Sequence, residues 1–108
     1  MKEDVENLLG IMERASGYVR EDILSKNRQR PLPALRWFIG AELMEMGYSA
    51  SMAAREVGID HATLLNGRKQ MRNIEKKNNW GIEAKIYERF KGLINANRCE
   101  EIQSGNPR

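Results

Sequence analysis

The sequence predicts an all-α domain of about six helices with a helix-turn-helix at its centre. Three observations carry that expectation. Apolar residues recur at the i, i+3, i+4, i+7 spacing of a helix face in several separate stretches. Between those stretches stand Gly17, Pro31, Pro33, Gly47 and Gly58, which cut the chain into segments of helical length. No apolar–polar alternation runs far enough to build a sheet. At 108 residues the chain makes one domain able to bury a modest core. That domain is assigned to residues 1–97, with 98–108 expected to be a flexible tail.

The first helix is expected over about Glu3–Ala15, where Val5, Leu8, Leu9 and Met12 form one buried stripe. It reads as a packing helix, with an acidic surface on which a protein partner could dock. Gly17 ends it, and Arg20–Ser25 can form a short second helix with Ile23 and Leu24 turned inward. Ser25–Pro33 follows, in which two prolines forbid a continuous helix and Lys26, Arg28 and Arg30 crowd a short loop. Like charges that nothing answers cost stability, so this loop suggests phosphate contacts or an arginine in a minor groove. A solvated linker would carry the same charges. The third helix is expected over about Leu35–Met46, with Leu35, Phe38, Ile39, Leu43 and Met46 on one buried face and Gly47 as its left-handed stop. Trp37 reads as a core or interface aromatic rather than a base-stacking platform, because aromatics make up only 6% of the chain.

Ser49–Met71, within a helix-turn-helix assigned to about 49–74, is the most informative stretch. Its first helix carries Met52, Ala53, Ala54 and Val57, Gly58 makes the turn, and Ile59 is an apolar plug. Asp60 can accept a hydrogen bond from a free N–H at the start of the next helix. On a wheel of about 100° per residue, Leu64, Gly67, Met71 and Ile74 share one side, expected to be core. The other side collects His61, Arg68 and Arg72 in one stripe and Ala62, Asn66, Lys69 and Asn73 in the next, with Leu65 between them. Amides and short polar groups can reach base edges while arginine and lysine reach phosphates or guanine. A solvated surface helix has the same polarity. Lys76–Asn79 is expected to be a loop, and a sixth helix over about Ile82–Ala96 carries Ile82, Ile86, Phe90, Leu93 and Ile94, with Trp80 and Tyr87 adding to that stripe.

Charge is unevenly distributed. Residues 1–22 hold three basic and six acidic groups, net −3, whereas residues 23–77 hold ten and five, net +5. The overall +3 therefore understates the local potential around the helix pair, which is what a polyanion meets. A lone Cys99 cannot form an internal disulfide, and neither a bilayer-spanning run nor a signal-peptide core is present. The expected location is cytoplasmic, with the nucleoid. A single histidine, no phosphate-binding glycine loop and no cysteine–histidine ligand cluster argue against catalysis, metal, nucleotide and other cofactors.

With these residues placed, the chain resembles the carboxy-terminal DNA-binding domain (domain IV, a Trp-repressor-like helix-turn-helix) of the bacterial chromosomal replication initiator DnaA. Asp22–Arg30 (DILSKNRQR) is similar to the family's basic loop, and Asp60-His61-Ala62-Thr63-Leu64-Leu65 to its Asp-His-Thr/Ser-Thr-Val-Leu signature. The likeness spans about residues 5–97. It implies a DnaA domain IV-like helical fold that reads a short duplex element as a monomer. Asp60, His61 and Ala62 would face base edges, Arg28 would enter a minor groove, and Arg36 with residues near Ser51 would hold the backbone. Ala62 stands where the family has a hydroxyl residue, Asn27 and Ile59 where it has basic ones, and Asn66-Gly67 where it has His-Ala. The initiator's own target is therefore not the expected one, and without the ATPase module the expectation is a free-standing reader with a regulatory or replication-related role. Two other readings compete: a protein-interaction module that kept the fold and lost DNA binding, and a dimeric helix-turn-helix repressor.

Overall fold

The computed structural model describes the backbone of residues 2–76 and 81–105, and the side chains of 2–72 and 81–96. Six helices follow one another: α1 (Lys2–Ser16), α2 (Arg20–Ile23), α3 (Leu32–Glu45), α4 (Ala50–Glu56), α5 (His61–Lys76) and α6 (Gly81–Gly105), with no strand among the described residues. The fold is all-α, as the periodicity predicts.

The α1 stripe is buried as expected, and Ile11 and Ala15 join it. α3 departs from the one-faced helix that its spacing suggests. It begins at Leu32, so Pro33 lies in its first turn, where a proline removes no helical hydrogen bond. It is packed by all five other helices, and it buries Leu32, Ala34, Ala41 and even Arg36 and Glu42 besides Leu35, Phe38, Ile39 and Leu43. Met46, expected on the buried face, is exposed just past the end of the helix.

α6 corrects a second expectation. Ile86, Phe90 and Ile94 are buried, but Ile82 is 65% exposed and Glu83 takes its place inside. A helix advances about 40° past one full turn every four residues, so the Ile82–Ile86–Phe90–Ile94 series spirals off the core at its first member. Glu83, seven residues before Phe90, stays within about 20° of it. The expected tail is helical through Gly105, since nothing before that glycine breaks the helix. Ile74, Asn73 and Trp80 have side chains outside the described residues, as does the backbone of 77–80, where most of the Lys76–Asn79 loop was expected.

α3 and α4 end alike. After α4, Gly58 adopts φ +77°, the Ile59 N–H reaches back to the Ala54 carbonyl at 3.0 Å and the Gly58 N–H to Arg55 at 3.2 Å. This paired closure uses the left-handed conformation that glycine adopts without strain. It turns the chain sharply into α5 while burying Val57 and half-burying Ile59 against the core.

Candidate nucleic-acid interface

α5 starts where Asp60 predicts. Its Oδ1 accepts the Thr63 backbone N–H at 2.7 Å. The Thr63 side chain and N–H hold the Asp60 carboxyl below the usual aspartate range, with a smaller push from His61. Asp60 is thus first a helix cap, with one oxygen committed to the backbone. Beyond it, His61, Ala62, Thr63, Leu65, Asn66 and Lys69 are exposed and Leu64 is fully buried.

The inner face of α5 approaches α3 closely because two glycines permit it. Leu64 lies over Gly40, and the Trp37 ring lies over Gly67, so tightly that a Cβ on Gly67 would fall 2.4 Å from Trp37 Cγ. Trp37 is therefore a packing residue at the α3–α5 crossing, as its isolation in the sequence suggests.

Between α5 and the loop joining α2 to α3 lies a cleft of about 470 Å³. Ser25, Lys26, Arg28 and Pro33 line one side, Gly58, Ile59, Asp60 and Thr63 the other, with Arg36 and Trp37 also contributing. The two segments that the sequence singles out, around Arg28 and around Asp60–Thr63, thus share one concavity, and His61 stands exposed beside it. Lys26 and Arg28 are exposed and make no salt bridge among the described residues.

Three expected contact residues have partners within the protein, one of them buried. Arg36 is only 5% exposed, and its Nε and Nη2 donate to the carbonyls of Ile23 and Asn27, each at 2.6 Å. Burial lowers its pKa, and the two carbonyls answer the buried cation. Arg30 makes a two-pronged pair with Glu83, Nε to Oε2 at 2.7 Å and Nη2 to Oε1 at 3.0 Å. Burial pushes the Glu83 carboxyl up, but hydrogen bonds from Arg30 and its own backbone N–H, with the guanidinium charge, outweigh it and leave Glu83 below its ordinary value. Arg68 leans away from the cleft toward α3, 3.7 Å from Glu45 and 3.8 Å from the Met44 sulfur. Ser51 is exposed on the first turn of α4, outside the walls of the cleft.

The acidic α1 is also partly engaged from within. Glu6 pairs with the Arg20 guanidinium, Glu13 accepts the Arg20 backbone N–H at 2.9 Å, and Asp4 accepts the Tyr48 hydroxyl. Glu83 is the residue that reading the sequence missed. A carboxylate seven residues before Phe90 and three before Ile86 lies on the buried stripe, and a buried carboxylate requires a cation.

Among the described residues no group of histidine, cysteine, aspartate and glutamate side chains could hold a metal ion, and no helix is long and apolar enough to cross a membrane. Comparison with protein-family models, with curated proteins and with solved structures returns no match to this chain.

Proposed function

We propose that this protein binds double-stranded DNA sequence-selectively, as a free-standing reader domain of the initiator type, with a regulatory or replication-related role. The observation that carries the reading is the shared cleft. Two exposed cations of the α2–α3 loop, Lys26 and Arg28, line the same concavity as the start of a helix whose outer face is polar. B-form DNA offers a major groove about 12 Å wide that admits one helix. With α5 in that groove, His61, Ala62 and Asn66 are the residues aimed at base edges. His61 and Asn66 supply polar atoms, and the Ala62 methyl suits a thymine methyl. Lys26 and Arg28, beside the helix start, meet the phosphates flanking that groove or the next minor groove.

The test is fluorescence anisotropy with random duplexes and with duplexes selected from a random library. The expected result is salt-sensitive binding to all duplexes and tighter binding to the selected ones. A folded protein that binds no duplex at low salt overturns the proposal, and a stable partner protein captured with Arg28 dispensable would replace it with the interaction-module reading.

A further inference from the structure

We propose that the α2–α3 loop is a preformed reading element held by two arginine clamps, Arg36 on its first half and the Arg30–Glu83 pair on its second, which leave Lys26 and Arg28 as its DNA-facing cations. This rests on the DNA-binding reading and adds to it which loop cations touch the duplex and which position the others.

A basic loop of this length would ordinarily lose conformational entropy on docking and weaken binding by that amount. Here the ordering is done in the free protein. The Arg36 fork spans from the end of α2 to the middle of the loop through the Ile23 and Asn27 carbonyls. Its planar geometry reaches two acceptors at once, which a lysine ammonium on a flexible stem does not reproduce. Within the loop, Ser25 Oγ accepts the Asn27 N–H at 3.3 Å and Asn27 Oδ1 accepts the Gln29 N–H at 2.9 Å. At the far end, Arg30 ties the loop across 53 residues of sequence to the first turn of α6.

Arg30 is 63% exposed in its side chain, so exposure alone would nominate it as a phosphate contact. Its partner decides otherwise. The Glu83 side chain is 2% exposed, and drawing Arg30 away to a phosphate would leave a buried carboxylate without its cation. Lys26 and Arg28 carry no such obligation.

Glu83→Gln separates the two roles by the sign of its effect. Removing a negative charge from a DNA-binding protein strengthens association on electrostatics alone, and more so if it frees Arg30 for a phosphate. The clamp requires the opposite: Glu83→Gln weakens the preferred duplex about tenfold, as when the binding-competent fraction falls to about one tenth. Arg30→Gln should cost a similar factor, and the double variant little more, because either change opens the same clamp. A second readout needs no DNA. Amide hydrogen exchange at Asn27 and Gln29 in the free protein should accelerate in Glu83→Gln and in Arg36→Lys, with the first turns of α5 unchanged.

Tighter binding by Glu83→Gln together with weaker binding by Arg30→Gln would overturn the proposal and make Arg30 a phosphate contact. Unchanged loop exchange in both variants would overturn the clamps whatever the DNA result. Accelerated exchange in a protein whose every form binds no duplex would sink the DNA-binding reading and uphold the clamps alone.

Discussion

Arg28 and Arg36 carry the same guanidinium and face opposite demands: one is exposed beside the cleft, the other is buried and answered by two carbonyls. Sequence pattern cannot assign these fates, because a basic residue in a loop and one toward the start of a helix both read as surface groups. Truncating each should give different failures. Arg28→Ala is expected to weaken the preferred duplex by about 1–3 kcal/mol and to leave the unfolding midpoint unchanged. Arg36→Ala is expected to lower that midpoint, since it strands two carbonyls and opens a void. His61→Ala should weaken the preferred duplex by about 1–3 kcal/mol, with little loss on random sequence; equal loss on every duplex in a titration series would mean that His61 reads no base. Glu83 gives the pH counterpart. Its carboxyl is held below the ordinary value of 4.5, so the folded state favours the ionised form. That stabilisation is complete above about pH 5 and is lost as the pH falls through the depressed value. Thermal melts recorded from about pH 5 downward should show a falling midpoint, and the fall should be shallower in Glu83→Gln.

The start of α5 and the stops of α3 and α4 were legible because they depend on local chemistry. Asp60 caps α5, and Gly47 and Gly58 take positive φ at the two stops. What the local pattern lacked was the number of neighbours an element would meet. α3 is surrounded, so its polar-looking Arg36 and Glu42 went inside. Long-range pairing was equally invisible, and the Arg30–Glu83 bond joins residues that nothing in the sequence connects. The α3–α5 crossing combines both cases. At position 67 the Trp37 ring occupies the space that an alanine methyl would fill. Gly67→Ala should therefore destabilise the protein by about 1–3 kcal/mol through overpacking, despite the better helix propensity of alanine. The atom met is the root of a rigid bicyclic ring rather than a mobile side-chain tip. Gly92→Ala in α6, where a Cβ meets nothing within 4 Å, should instead stabilise by about 0.5–1 kcal/mol. Urea unfolding of the two variants checks that the difference lies in packing, since both replace a helical glycine.

At the scale of the whole molecule, the seven cations described on the α2–α3 loop, α3 and α5 are divided by the fold into a structural set and an exposed set. Arg30, Arg36 and Arg68 are held against Glu83, two backbone carbonyls and Glu45 respectively. Lys26, Arg28, Lys69 and Arg72 are exposed and unpaired with any carboxylate among the described residues. The division has a thermodynamic consequence, because each phosphate neutralised by a protein cation releases counterion and adds about −0.9 to the slope of log K against log salt. The exposed set alone gives a slope of about −4, whereas all seven cations acting on phosphates would give about −6. Anisotropy titrations across a series of salt concentrations distinguish these values. Arg28→Ala should then reduce the slope by about one unit, while His61→Ala, if it reads a base rather than a phosphate, leaves the slope unchanged and lowers only the affinity for the selected sequence. A wild-type slope near −6 would mean that the arginines paired within the free protein are released on binding, and that the fold's allocation of charge does not survive contact with DNA.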